Sequence, residues 1–127
     1  MFFSIDSHNG VPIYEQLVRQ VKFAVADGVL VAGQMIPSVR QLAQQLAINP
    51  NTIARAYTQL QTDLVVEPLR GRGLVVRKDA FNRCAKARNT LLAARLRSVL
   101  AECLQGGLTR EELTELFESE LAALEQS

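Results

Sequence analysis

Through most of the chain apolar residues recur every three or four positions, and the breaks between these runs fall at glycine and proline. Ile13, Leu17, Val21, Ala24 and Val25 share one helical face, with Gln16, Arg19 and Lys22 turned away from it. Pro12 fits the first turn of that helix, where its missing N–H costs nothing, and Gly28 is a stop signal. The next residues, VLVAGQMIP, read as a short extended connector containing Gly33.

Two more amphipathic runs follow with almost nothing between them, PSVRQLAQQLAINPNTIARAYTQLQ from Pro37 to Gln61. Ser38 is the N-cap of the first, and Gln41 completes a capping box. Val39, Leu42, Ala43 and Leu46 form its apolar stripe, and Ala47 and Ile48 make a brief turn. Asn49 caps the second run, and Pro50 occupies its first turn. Ile53, Ala56, Tyr57 and Leu60 are its apolar face; Asn51, Thr52, Arg55, Thr58 and Gln59 lie opposite.

The period then changes. Val65–Pro68 and Leu74–Arg77 are β-prone runs joined by Arg70, Gly71, Arg72 and Gly73, a hairpin in which Pro68 marks an edge strand or a bulge. From Asp79 the helical period returns. Leu91, Leu92, Leu96, Val99, Leu100, Cys103 and Leu104 spread over more than one side of a long helix, which Gly106 and Gly107 end. Thr109 and Glu112 form a second capping box, and Leu113, Leu116, Phe117, Leu121 and Leu124 stripe a last helix. The fold class predicted is mainly α with a small β-hairpin. No internal repeat or low-complexity segment is present.

Two helices joined by a tight turn make a helix-turn-helix unit. Its second helix needs one apolar face to hold it and one polar face to enter the DNA major groove. Arg can pair with guanine, Asn with adenine, and Thr can meet a phosphate or a thymine methyl. The Arg-Gly-Arg-Gly tip is narrow and cationic, which suits a wing laid along a minor groove or the phosphate backbone.

Composition adds an asymmetry. Net charge is only +1, yet Leu69–Arg97 holds nine Lys or Arg against one acid, and Ser98–Ser127 holds seven acids against one base. A basic middle and an acidic tail imply two different surfaces. Cys84 and Cys103 have no metal-type spacing and are expected to be reduced, buried thiols. His8 has no partners in the sequence that would make it a catalytic or metal-binding group. There is no phosphate loop, no paired carboxylates, and no nucleophile with a base, so neither catalysis nor a cofactor is expected. The start, MFFSIDSHNG, does not read as a signal peptide, and no run approaches the ~20 apolar residues of a membrane span.

With these motifs in place, PSVRQLAQQLAINPNTIARAYTQLQ followed by EPLRGRGLVVR resembles the winged helix of GntR-family transcription regulators, over about residues 11–78. PIYEQLVRQVK resembles the family's first helix. The short tail is similar to that of the YtrA-like subfamily, and about fifty residues leave no room for the larger effector-binding or aminotransferase-like domains of other subfamilies. The resemblance implies a winged helix-turn-helix DNA-binding domain over 1–78 and a helical dimerisation tail over 79–127. It implies DNA contact by Arg40, Asn49, Asn51, Thr52, Arg55, Arg70, Gly71, Arg72 and Gly73. Dimerisation falls to Leu91, Leu92, Leu96, Val99, Leu100, Leu113, Leu116 and Phe117. The expected partners are a double-stranded inverted-repeat operator, a second copy of the chain and an unidentified small-molecule effector. The expected role is repression in the bacterial cytoplasm, at the nucleoid when bound. A protein-interaction winged helix that does not bind DNA is the alternative.

Each polar residue also has a plainer reading. Arg40, Asn51, Thr52 and Arg55 are equally the residues of a solvated helix face, and Tyr57 suits the core. Arg83, Lys86 and Arg88 either touch flanking phosphates or are simply solvated. One position departs from the family pattern: Leu64 stands where glycine usually precedes the first wing strand. A left-handed Leu64 would be strained, so ordinary packing with a shifted helix end is expected there.

Overall fold

The computed structural model describes residues 3–127. Among them the elements run α1 (Ile13–Ala26), α2 (Val39–Leu46), α3 (Pro50–Thr62), β1 (Val66–Leu69), β2 (Gly73–Val76), α4 (Ala80–Gln105) and α5 (Arg110–Glu125). The architecture is mainly α with one small antiparallel hairpin, as the hydrophobic period predicts. The chain divides into two compact units, one ending at Arg88 and the other running Asn89–Ser127, so α4 begins in the first and ends in the second. The sequence pattern puts its boundary after Lys78. The first turns of α4 fall in the first unit because Ala80 and Cys84 are buried in its core, only 0% and 1% exposed.

In the first unit, the stripes of α1, α2 and α3 meet in a core that includes Leu17, Val21, Val25, Leu42, Ile53, Ala56 and Leu60. α1 begins after Pro12, which stands as its N-cap rather than in its first turn and makes no side-chain cap bond; α2 and α3 start where their capping chemistry dictates. Ser38 Oγ accepts from the Gln41 amide at 3.1 Å, and Gln41 Oε1 accepts from the Ser38 amide at 3.0 Å, closing the capping box. Asn49 Oδ1 accepts from the Asn51 amide at 2.8 Å, with Pro50 in the first turn of α3. The segment before α1 is pinned by a buried side chain that the hydrophobic pattern left outside the core. Gln16 donates to the Asp6 and Val11 carbonyls and to Asn9 Oδ1, and accepts from the Asp6 amide.

The hairpin pairs Val66 with Val76, Glu67 with Val75, Pro68 with Leu74 and Leu69 with Gly73. Pro68 sits on the free edge, where a missing N–H is harmless. The connector between α1 and α2 is more than a linker. Gly33 and Ile36 donate to the Val76 and Leu74 carbonyls, and Val76 donates to Gln34. Residues 33–36 thus cover the other edge of β2, a long-range pairing that no local pattern announces.

Four helices stop by one mechanism. A residue in left-handed conformation follows the last turn, and the next amide reaches back five residues: Val29 to Ala24, Ile48 to Ala43, Val65 to Leu60 and Leu108 to Cys103. At α1 and α4 the left-handed residue is glycine, Gly28 and Gly107; at α2 and α3 it is Ala47 (φ 54°) and Leu64 (φ 60°). The expectation of ordinary packing at Leu64 is therefore corrected. Leu64 takes the strained conformation, and its carbonyl accepts a hydrogen bond from Arg83 Nη1. The helix ends where a glycine would end it, so the chain enters β1 on the usual course.

In the second unit, Thr109 and Glu112 close a capping box at the start of α5. None of its residues is fully buried: Leu91, Leu100, Cys103, Leu108 and Leu113 are half-buried, and Leu92, Leu96, Val99, Leu104, Leu116, Phe117, Leu121 and Leu124 are exposed.

Tyr57 combines core and polar roles. It is 4% exposed, and its hydroxyl donates to the Pro37 carbonyl at 2.7 Å, tying α3 to the residue before the α2 cap. Burial pushes its pKa up to about 12.

Two measurements follow. At a left-handed site glycine is favoured over alanine, whereas inside a helix it costs about 1 kcal/mol. Ala47→Gly should therefore raise stability by about 0.5–1 kcal/mol, and Leu64→Gly should melt above Leu64→Ala; the reverse order in both pairs would contradict the left-handed ends. The buried Tyr57 stays neutral while the unfolded chain ionises near pH 10. Stability should then be full below pH 10 and fall as pH rises from about 10 to about 12, and Tyr57→Phe should flatten that fall in urea melts across the range.

Candidate nucleic-acid interface

Four apolar side chains bury one face of α3 and thereby hold the other outward. Asn51, Ala54, Arg55, Thr58 and Gln59 are exposed, and Thr52 is half-buried at the edge. Arg40 is exposed on the first turn of α2. It borders a shallow depression of about 670 Å³ shared with Ala43, Gln44, Ala47, Ile48 and Pro50.

The hairpin tip lies across a groove from α3. The groove, about 560 Å³, is lined on one side by Ala54, Tyr57, Thr58 and Gln61 and on the other by Pro68–Leu74. At the tip, the Arg72 amide donates to the Leu69 carbonyl at 2.8 Å, and Gly71 (φ 74°) and Gly73 (φ 113°) adopt backbone conformations that other residues rarely take. A Cβ at Gly73 would come within 3.3 Å of Met35 Cε, the movable end of an exposed side chain. Both tip arginines, Arg70 and Arg72, project into solvent.

Charge placement separates these arginines from the structural ones. Lys22 pairs with Asp63 at 2.7 Å, Arg77 with Glu67 at 3.3 Å and with Asp79 at 3.1 Å, Arg83 with Asp79 at 2.9 Å, and Arg88 with Asp27. No carboxylate pairs with Arg40, Arg55, Arg70 or Arg72 among the described residues. An exposed guanidinium without a counter-charge keeps all its donors for a partner. Hydrogen bonds from Arg83 and Arg77 hold the Asp79 carboxyl well below the usual carboxylate range. This ion cluster joins β1, the end of β2 and the start of α4, and so braces the base of the wing.

Of the residues named from sequence, Asn51, Thr52 and Arg55 line one depression with the start of α1, Arg40 borders another on α2, and Arg70 to Gly73 form the tip across a groove from α3. Asn49 already uses its side-chain oxygen to cap α3, which leaves its amide nitrogen for any further contact. Of the basic run, Arg83 and Arg88 are engaged in ion pairs within the first unit. Burial pushes the Cys84 thiol up, which disfavours the reactive thiolate, and Cys103 is half-buried rather than buried. Sequence reasoning overlooked Tyr14. Its ring lies under Arg55, with the guanidinium carbon 3.8 Å from the ring centroid. The available signal was an aromatic in the first turn of α1, beside rather than on the assigned stripe.

Among the described residues, no group of three or more His, Cys, Asp or Glu could hold a metal ion, and no helix is long and apolar enough to cross a membrane. Residues 13–76 match the family described as "Bacterial regulatory proteins, gntR family". The chain is 33% identical over 111 residues to the HTH-type transcriptional repressor YtrA of Bacillus subtilis (strain 168), spanning 87% of this chain and 85% of that protein. Among solved structures, a transcriptional regulator from Oenococcus oeni matches with a TM-score of 0.82 at 32% identity, covering 94% of this chain and 99% of that one. A GntR family transcriptional regulator from Listeria monocytogenes matches at 0.73 and 28% identity, covering 87% and 96%. The chain therefore belongs to the gntR family of bacterial regulatory proteins, whose members are transcription regulators and not enzymes.

Proposed function

We propose that this regulator binds a two-fold symmetric operator as a homodimer, with α3 in the major groove and the wing against the flanking backbone or minor groove. The observation that carries the reading is a set of four exposed arginines without a carboxylate partner among the described residues: Arg40 on α2, Arg55 on α3, and Arg70 and Arg72 at the hairpin tip. Arg55, Asn51 and Thr52 face base edges, Arg40 meets the backbone at the entry to the groove, and Arg70 and Arg72 follow the wing. The hydrogen-bonding types on α3 suit base readout, and the glycines at the tip let the wing backbone approach closely.

The dimer is proposed from the second unit. Eight large apolar residues exposed on the second unit's parts of α4 and α5 form a surface that a lone chain in water would leave uncovered. A second copy of the same surface is self-complementary, and a two-fold axis would present two recognition helices to an inverted repeat. Repression is proposed from the Bacillus subtilis relative, which is named as a transcriptional repressor. The proposed site of action is the bacterial cytoplasm. The alternative, a winged helix that binds protein and not DNA, drew its support from Leu64. A left-handed Leu64 gives it none, since the helix ends as it would with glycine.

Binding sites selected from random DNA test the reading. Binding should weaken steeply with salt, and Arg70→Ala or Arg72→Ala should lower the magnitude of the log–log salt slope by about 1 each while weakening all sequences alike. A base-contacting arginine, the role given to Arg55, should cost about 1–3 kcal/mol on replacement by Ala and relax preference at one position. Binding that ignores salt and all these substitutions would favour the protein-interaction reading.

The dimer is tested by Leu92→Glu with Leu96→Glu. These side chains are exposed, so the first unit should keep its fold while sedimentation shows a monomer and operator affinity falls at least about tenfold. Truncation after Lys78 is a poorer test, because it removes Ala80 and Cys84 from the core. A wild-type protein that stays monomeric at micromolar concentration, yet binds its operator tightly, would contradict the dimer.

A further inference from the structure

Tyr14 belongs to α1, outside the helix-turn-helix, yet its ring lies under the Arg55 side chain, at 3.8 Å from ring centroid to guanidinium carbon. We propose that Tyr14 is a positioning residue for DNA recognition, whose ring fixes the Arg55 guanidinium in the orientation it presents to a base pair. This rests on the reading of Arg55 as a DNA-facing residue.

The ring itself stands on a rigid base. Leu17 and Val21 anchor α1 in the core, each 1% exposed. The Gln16 side chain, 7% exposed, locks the preceding segment through four hydrogen bonds, and the Tyr14 hydroxyl donates to Glu15 Oε1 at 3.3 Å. Arg55 by contrast is exposed on the outer face of α3, with no carboxylate partner among the described residues. Such a long side chain carries rotamer entropy that binding must otherwise overcome.

Stacking restrains the group in a way that an ion pair does not. A carboxylate would hold the guanidinium by occupying its N–H donors and cancelling its charge. An aromatic ring holds it through the π face and leaves all five donors in the guanidinium plane, where a base edge can accept them. The surroundings are consistent with this role. Pro12, Ile13 and Tyr14 share a depression of about 440 Å³ with Asn51, Thr52 and Arg55, so the start of α1 borders the first turns of α3. Those are the turns that a recognition helix of this type directs at base edges.

The test is affinity for a site selected from random DNA and for its single-base variants, using the full chain. Arg55→Ala should flatten preference at one base pair. Tyr14→Leu should flatten the same base pair and lower affinity for the preferred site roughly threefold to tenfold, the range of a partly exposed cation–π contact. Tyr14→Phe, which keeps the ring, should stay within about twofold of wild type. The double substitution Tyr14→Leu with Arg55→Ala should bind no worse than Arg55→Ala alone. In NMR spectra, the side-chain resonances of Arg55 should show an upfield ring-current shift that Tyr14→Leu abolishes and Tyr14→Phe retains.

If Tyr14→Leu weakens all sequences equally and adds fully to Arg55→Ala, Tyr14 is only a packing residue and the proposal falls. If Arg55→Ala itself changes nothing, the assignment of Arg55 as DNA-facing falls first. Should Tyr14→Leu fail to fold, the wild-type spectrum decides: Arg55 side-chain resonances shifted upfield by the ring support the proposal, and resonances without that shift overturn it.

Discussion

Helix α3 is held by Ile53, Ala56, Tyr57 and Leu60, which are 0%, 0%, 4% and 0% exposed. Everything else at the proposed interface depends on that one-sided burial. It fixes the rotation of the helix about its own axis, so Asn51 and Arg55 must face outward. The same burial tolerates no polar atom without a partner, and the Tyr57 hydroxyl meets the requirement by donating to the Pro37 carbonyl. That bond reaches the residue before the α2 cap, so the packing of α3 also sets where α2 begins. A turn of three residues, Ala47 to Asn49, separates the two helices, and it is possible because Ala47 accepts a left-handed backbone.

The wing depends on the end of the same helix. Leu64 turns the chain out of α3 in a conformation that glycine would take without strain, and Arg83 from α4 donates to its carbonyl. Arg83 also pairs with Asp79, which pairs with Arg77, which pairs with Glu67 on β1. Residues 33–36 complete the arrangement on the far edge of β2. Strand β2 is thus bonded on one side by β1 and on the other by the connector, with an ion cluster at its base. The tip is left to solvent, and that is where Arg70 and Arg72 stand. The basic residues of the first unit therefore divide by chemistry: some are neutralised by nearby acids and brace the fold, others keep their charge for a partner.

The second unit poses the opposite problem. Its helices are well started, with a capping box at Thr109, and well stopped, with Gly107 in the left-handed conformation after α4. Yet none of its residues is fully buried, and Leu92, Leu96, Phe117 and Leu121 are among those exposed. Good local signals make helices without making a core, because a core needs a second surface. In the proposed dimer that surface is supplied by another copy.

The sequence by itself determined the helices, their caps and their apolar faces, because these rest on contacts within a few residues. Ser38 with Gln41, Asn49 with Pro50, and the 53, 56, 57 and 60 stripe are all legible from spacing alone. The hairpin was legible to within one residue, since strand ends depend on pairing rather than on period. That Arg70 and Arg72 stand across a groove from α3 was legible only through the ordered motif; spacing alone does not show that a hairpin tip lies across a groove from a helix. Tertiary structure decided the rest. The connector became an edge partner of β2 because a strand far along the chain offered carbonyls to it. Ala80 and Cys84 joined the first unit because its core had a place for them. Leu64 was held left-handed because the backbone bonds of the helix end and a distant Arg83 outweighed its local strain, a cost of about 1–2 kcal/mol that propensity reasoning counts without its compensation. Tyr14 came to lie under Arg55 because α1 packs against α3, and a pairing between residues 41 positions apart leaves no trace in local pattern.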